Sequence, residues 1–123
     1  EFRPFAPAVL VDHFSEYFEI GQESPHMLIA CQATEKAKRE IPATVHVDGS
    51  CRAQTVRQEN NPRFFALLEA FFGQTGCPVL LNTSFNVKGQ PIVNTPGQAI
   101  DCYLGTNIDC LVVGDFFIEK ESL

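Results

Sequence analysis

The sequence predicts an α+β (α/β) domain in which hairpins and helices build a mixed β-sheet. Short apolar strand patterns alternate with two strong helix patterns, and turn signals at Asp48-Gly49 and Gly114-Asp115 separate neighbouring strand candidates. Such turns favour antiparallel pairing over a doubly wound parallel sheet. With 123 residues and no internal repeat or linker, the chain is expected to form one domain over residues 1–123 that buries its own core.

The strand patterns follow one another along the chain. The opening 25 residues contain three prolines, and their AVLVDHFSEYFEI stretch is consistent with a strand followed by a short helix. Later strands are predicted at residues 27–33, 43–47, 51–56 and 79–84, and at Cys110–Val113 and Phe116–Glu119.

The first strong helix signal lies in NNPRFFALLEAFFGQTG. Asn61 is a capping residue, Pro62 suits the first helical position, and Gly73 is the expected end. Apolar residues recur at three- and four-residue spacing and are interpreted as core: Phe64, Leu67, Leu68, Phe71 and Phe72.

The second helix signal lies in NTPGQAIDCYLGTN. Thr95 followed three residues later by Gln98 predicts a capping box, and Pro96 fits the first turn. Gly105 is the expected stop.

Charge and composition restrict the partners. The net charge of −6 argues against nucleic acid, because proteins that bind the phosphate backbone usually present a basic field; a local pocket for one small anion remains compatible with it. No apolar run of membrane-spanning length and no signal-peptide pattern occur, so we expect no membrane partner and a cytoplasmic location. Because the chain opens on Glu1 within EFRPFAP, we expect a segment of a longer protein.

Cysteine and histidine spacing predicts no metal in this segment. The five cysteines show no C-x-x-C spacing and are interpreted as small buried hydrophobic residues with free thiols. His13, His26 and His46 lack metal-ligand spacing. Phosphate-binding glycine loops, nucleophile elbows and zinc-protease motifs are also missing from the sequence.

The stretch ATVHVDGSCRAQTV predicts a hairpin with one polar face. A three-residue loop, residues 48–50, gives the register that separates polar from apolar side chains most cleanly. That register places His46, Arg52 and Gln54 together. Their face either contacts water, as polar hairpin faces often do, or contacts a ligand.

Two further stretches carry candidate ligand contacts. Arg3, between an apolar residue and a proline, either lies over apolar surface or binds an anion with its rigid donor fork. In LLNTSF, strand alternation places Asn82 and Ser84 on one side at the end of an apolar strand. Lys88 follows at a glycine turn, as a surface residue or an anion contact.

Five segments together resemble the C-terminal domain of the nodulation and antibiotic-tailoring O-carbamoyltransferases. In chain order they are FRPFAPAVL, IPATVHVDGSCRAQTV, NPRFFALLEAF, TGCPVLLNTSFNVKGQPIV and DCLVVGDFFIEK, and they span nearly the whole chain. The stretch HVDG with its following arginine and the stretch LNTSFN are the most specific matches. The sequence differs from the usual family pattern at Ser50-Cys51 and at Gly89-Gln90, and none of these four residues is an implied ligand contact.

The resemblance implies a YrdC-like fold, a twisted open sheet with helices. It implies that this domain makes carbamoyl adenylate from carbamoyl phosphate and ATP, releasing phosphate and pyrophosphate. A separate Kae1-like domain, which holds an iron, would then transfer the carbamoyl group to a hydroxyl acceptor. Because that domain and the upstream YrdC-like residues are absent here, we expect the fragment alone to be inactive.

The resemblance also assigns residues. Carbamoyl phosphate and carbamoyl adenylate would contact four positions, with the two arginines catalytic: Arg3, Arg52, Asn82 and Ser84. His46 and Lys88 are second-tier candidates. The alternative hypothesis is a non-catalytic ligand-binding or interface module of the same transferase. RNA binding is disfavoured by the acidic charge.

Overall fold

The structure, a computed structural model, describes residues 5–19, 29–87 and 89–120 and confirms the α+β class. In these ranges the chain forms a five-stranded mixed sheet, a two-stranded sheet and four α-helices. It divides into two compact units, Glu1–Thr83 and Ser84–Leu123.

The first unit is built on the five-stranded sheet, whose strand order is β2-β3-β4-β1-β5. Only the central β1–β4 pair is parallel, and the other pairs are antiparallel. The strands are β1 (Ala6–Leu10), β2 (Phe18–Glu19), β3 (Ile29–Ala33), β4 (Ser50–Val56) and β5 (Val79–Asn82).

Three α-helices belong to this unit: α1 (Phe14–Tyr17), α2 (Glu35–Glu40) and α3 (Pro62–Thr75). Helix α2 is not among the predicted helices, because its single buried residue, Ala37, gives the sequence no apolar periodicity. Its signal is instead the cap, because the Thr34 hydroxyl accepts a hydrogen bond from the Ala37 amide at 3.2 Å.

Helix α3 confirms the longer helix prediction and extends it. The Asn61 side chain caps the helix by accepting from the Phe64 amide. The helix runs past Gly73 to Thr75 and is capped by Gly76, whose φ of 75° is the left-handed value that favours glycine. Leu68 is fully buried, whereas Leu67, also predicted as core, is 58% exposed.

The two faces of the sheet bury separate cores. One face packs against α1 and α2, with Val9, Tyr17 and Cys51 among its buried members. The opposite face packs against α3, where Leu68 joins the strand residues Ala8, Leu10 and Val56. Burying one leucine side chain stabilises a fold by roughly 1.5–3 kcal/mol, so Leu68 alone contributes about this much to the packing of α3 on this face.

The predicted strand at 43–47 is wrong, and so is the hairpin that it was to form. Pro42–Thr44 is a 3-10 helix, because Pro42 offers no strand-type N–H and the Thr44 hydroxyl donates to the Ile41 carbonyl at 2.8 Å. Both edges of β4 are occupied, by β3 on one side and β1 on the other.

The second unit combines α4 (Pro96–Leu104) with a hairpin, β6 (Cys110–Val113) and β7 (Phe116–Glu119). Thr95 caps α4 as predicted, but Gln98 accepts from the Asn94 amide instead of completing the box on Thr95. Tyr103 lies in the core of this unit and donates to the Asp109 carbonyl at 3.2 Å.

Tyr17 ties α1 to α2 and predicts a loss of stability at alkaline pH. It is buried, and its hydroxyl donates to Glu40 Oε1 at 2.8 Å. Burial and the Glu40 carboxylate raise the pKa of Tyr17. Because the folded-state pKa is raised, the neutral tyrosine contributes stability that is complete below pH about 10 and is lost as pH rises toward the folded value.

We expect Tyr17→Phe to lower the free energy of unfolding by about 1 kcal/mol at neutral pH, through the lost hydrogen bond. The gap between wild type and variant should close as pH rises above about 10. Denaturant unfolding across this range measures both free energies. A gap that stays constant up to pH about 11 would contradict the Tyr17 assignment.

Candidate functional site

The structure describes four of the sequence-predicted site residues, Arg52, Asn82, Ser84 and His46. Arg3 and Lys88 lie outside the described residues. Their roles therefore stay predictions from the sequence.

Strand β4 separates polar from buried side chains by simple alternation, because successive residues of a strand point to opposite faces. Cys51 and Ala53 are buried on one face. Arg52 and Gln54 project on the other, where Arg52 is exposed and Gln54 is half-buried. The structure thus places Arg52 and Gln54 on one polar face, as the pattern predicts.

Asn82 lies on the same face of the sheet, on β5. Its side-chain Nδ2 donates to Gln54 Oε1 at 3.1 Å. Strand β1 lies between β4 and β5, so the two side chains start from strands about 10 Å apart. They meet above β1, which shows that the side chains of β1 beneath them are small enough to pass over.

Alanines make this meeting possible. Ala6 is the β1 partner of Asn82, and Ala8 is the β1 partner of Gln54. Arg52 likewise stands opposite an alanine, Ala30 of β3. Paired residues share a face, so each polar side chain has a methyl group beside it instead of a larger side chain.

We call this surface the polar patch and define it by Arg52, Gln54, Asn82, Ala6 and Ala30. It adjoins the part of the face that α3 covers, since the buried cluster under Leu68 includes Ala8 of the neighbouring row. The sequence pattern predicts the polar members of the patch but gives the alanines no role in it. Their signal is the alternation of small residues in APAVL, which reads equally well as ordinary core.

Arg52 is the cation of the polar patch. Among the residues that the structure describes, its guanidinium makes no hydrogen bond or ion pair. A guanidinium keeps its charge at all ordinary pH values and offers five donors in a planar fork that fits carboxylate or phosphate oxygens. The patch therefore offers a fixed positive charge next to two amides.

His46 does not stand across a hairpin from Arg52, which corrects the predicted register. Its backbone amide donates to the Ser50 carbonyl at 2.8 Å, within a turn that precedes β4. Asp48 holds that turn by accepting from the Ser50 hydroxyl and amide, and these bonds lower the pKa of Asp48. The residue that faces Arg52 is Ala30 instead, and a ligand role for His46 stays a prediction.

Ser84 is exposed and begins the second unit. The predicted strand extends to residue 84, but β5 ends at Asn82. Strand alternation therefore no longer fixes the direction of the Ser84 side chain. Its place beside Asn82 in a ligand site remains a prediction.

The second unit also has a cavity of about 910 Å³. It is lined mainly by amide and apolar side chains of the 86–94 loop and α4, with Asp101 as a charged member: Asn86, Gln90, Ile92, Asn94, Gln98 and Asp101. Asp101 gives the lining a negative charge, which does not favour an anion. None of the predicted ligand residues that the structure describes lies in this lining.

Two thiols of this sheet, those of Cys31 and Cys51, lie on the face opposite the polar patch. Cys31 and Cys51 are paired across β3 and β4, are buried on the opposite face, and have Sγ atoms 3.5 Å apart. Both thiols are free. The hydrogen bond with Cys31 and burial raise the pKa of Cys51, so its thiol stays protonated and is not a nucleophile at neutral pH.

Residues 5–19, 29–87 and 89–120 contain no group of three His, Cys, Asp or Glu side chains that could hold a metal ion. Their helices are also too short or too polar for a membrane span.

Comparison with known proteins gives one family over nearly the whole chain. The family model described as "Carbamoyltransferase C-terminus" matches residues 1–120. This match agrees with the resemblance carried by the HVDG and LNTSFN stretches.

Individual relatives point the same way. The chain is 40% identical to the nodulation protein NolNO of Sinorhizobium fredii, over 98% of the chain and 18% of that protein. It is 36% identical to a 3'-hydroxymethylcephem-O-carbamoyltransferase of Amycolatopsis lactamdurans, over 98% of the chain and 23% of that enzyme. It is 42% identical to an uncharacterized protein of Synechocystis, over 98% of the chain and 23% of that protein. The chain thus spans about a fifth of the length of the curated relatives it matches.

Proposed function

The chain belongs to the carbamoyltransferase C-terminal family, and from this premise we propose that its polar patch binds carbamoyl phosphate within an O-carbamoyltransferase. In this proposal the domain forms carbamoyl adenylate from carbamoyl phosphate and ATP. The relatives named as O-carbamoyltransferases and nodulation proteins support the family role.

One observation supports the site above all others. An exposed guanidinium, Arg52, shares a sheet face with an exposed amide, Asn82, and the strand partner of each is an alanine. Carbamoyl phosphate combines a phosphate with a primary amide. The patch offers a matching group for each half, a cation for the phosphate and an amide for the carbamoyl end.

The chemistry that we propose asks for positioning and charge stabilisation. Carbamoyl phosphate takes up one water and releases inorganic phosphate and carbamate. A carbamate oxygen then attacks the α-phosphorus of ATP, and pyrophosphate leaves. Arg52 would offset the negative charge that develops on the phosphoryl oxygens, and Asn82 would hold the carbamoyl group in line for attack.

The remaining sequence-predicted residues complete the proposal. Arg3 precedes β1 by three residues and would add a second guanidinium, and Ser84 would contact the carbamoyl group. Lys88 and His46 stay secondary. Transfer to a hydroxyl acceptor would fall to a Kae1-like domain of the full-length protein, which would also hold the iron, so the chain by itself would not complete carbamoyl transfer.

The test is pyrophosphate release by the full-length protein. We expect release that requires both ATP and carbamoyl phosphate and that proceeds without a hydroxyl acceptor. Inorganic phosphate should appear in equal amount. Carbamoyl phosphate binding without any pyrophosphate would instead favour the non-catalytic binding module, and the absence of both would refute the proposed function.

A further inference from the structure

Gln54 is the patch residue to which neither the sequence motifs nor the family resemblance gives a role. It lies half-buried on β4, two residues after Arg52. Its Oε1 accepts a hydrogen bond from Asn82 Nδ2 at 3.1 Å. This bond links β4 to β5 across the intervening strand β1.

The bond determines what each amide presents to a ligand. A side-chain amide has one acceptor oxygen and one NH₂ donor group. Because Asn82 uses Nδ2 toward Gln54, its Oδ1 is left as the acceptor. Because Gln54 uses Oε1, its Nε2 is left as a donor. The polar patch therefore offers an acceptor from Asn82 beside donors from Gln54 and Arg52.

That arrangement fits a carbamoyl group better than an acyl group. A carbamoyl NH₂ can donate to Asn82 Oδ1, the acceptor that the contact with Gln54 leaves free. Acetyl phosphate has nearly the same shape and the same charge, but a methyl group replaces the NH₂. It would lose the hydrogen bond to Asn82 Oδ1, so the polar patch should favour the ligand that supplies an N–H.

Resting on the proposed function, we propose that Gln54 is a positioning residue that fixes the Asn82 amide and thereby makes the polar patch selective for carbamoyl phosphate over acyl phosphates. The alanines of β1 allow Gln54 to reach Asn82. Ala6 and Ala8 are the partners of Asn82 and Gln54 and leave the path between them clear.

The experiment measures dissociation constants of three ligands for the full-length protein by calorimetry: carbamoyl phosphate, acetyl phosphate and inorganic phosphate. We expect wild type to prefer carbamoyl over acetyl phosphate by at least about tenfold, the effect of one well-placed hydrogen bond. Gln54→Met should reduce that preference to about threefold or less, mainly by weakening carbamoyl phosphate. Inorganic phosphate, which needs only the cation, should change by less than about twofold.

Three further variants separate positioning from packing. Gln54→Glu keeps an oxygen that accepts from Asn82 Nδ2, so it should retain the preference even if its negative charge weakens all three ligands. Ala6→Val keeps both amides but obstructs the path over β1, so it should reduce the preference as Gln54→Met does. Gln74→Met, at an exposed position of α3, should leave all three constants unchanged.

The outcomes separate this proposal from the function on which it rests. If wild type binds no carbamoyl phosphate, the proposed function fails and Gln54 selectivity fails with it. If wild type binds carbamoyl phosphate and Gln54→Met keeps the full preference, only the Gln54 proposal is overturned. Equal weakening of all three ligands by Gln54→Met, with a lowered melting temperature, would show a purely structural role and also overturn it.

Discussion

Replacing Arg52 by alanine is expected to lower kcat/KM for pyrophosphate release by the full-length protein about ten- to a hundredfold. The variant loses charge-assisted hydrogen bonds to the phosphoryl oxygens, and such bonds contribute about 1.5–3 kcal/mol. Arg52 lies on a central strand with an exposed side chain, so its removal opens no cavity in the core. The measurement is initial-rate kinetics with carbamoyl phosphate as the varied substrate.

Two further variants make this result specific. Arg52→Lys keeps the charge but loses the planar fork, so its activity should fall between wild type and alanine. Arg63→Ala removes an arginine that is exposed on α3, outside the polar patch, and should leave the rate within about twofold of wild type. Wild-type kinetics in Arg52→Ala would show that the site has been assigned to the wrong residues.

Leu68→Ala is expected to destabilise the first unit by about 2–5 kcal/mol, the usual cost of a leucine lost from a core. Leu68 is 0% exposed and joins α3 to β1, β4 and β5 through Ala8, Val56 and Leu80. Hydrogen exchange of peptides from β1 and β4, in the full-length protein, measures the effect. Their protection should fall by at least about tenfold.

The neighbouring leucine supplies the matched control. Leu67 precedes Leu68 on α3 but is 58% exposed, so Leu67→Ala should change protection of these strands little, within about 0.5 kcal/mol. Equal effects of the two substitutions would mean that α3 packs on the sheet with a different face from the one described.

Those parts of the fold with a local signal could be predicted from the sequence. Asn61, Pro62 and an apolar stripe predict helix α3, and a glycine turn predicts the β6–β7 hairpin. Strand pairing is not local, and here the prediction is wrong. Closeness in the chain favours pairing residues 43–47 with β4, whereas β4 pairs with β3 and β1.

The candidate site divides in the same way. Alternation along β4 was enough to place Arg52 and Gln54 on one face, because that alternation does not depend on the strand's partner. The contact of Gln54 with Asn82 could not be foreseen, since it depends on β1 lying between β4 and β5 with alanines on that face. His46 was misplaced for the same reason, as its predicted position required the wrong partner strand.

The most direct test of the polar patch is a calorimetric titration of carbamoyl phosphate into the full-length protein, its Arg52→Ala variant and its Arg63→Ala variant. If the patch binds this ligand, the dissociation constant should rise about ten- to a hundredfold for Arg52→Ala and stay within about twofold for Arg63→Ala. A rise below about threefold for Arg52→Ala, which is less than about 1 kcal/mol, would contradict binding of carbamoyl phosphate at the polar patch.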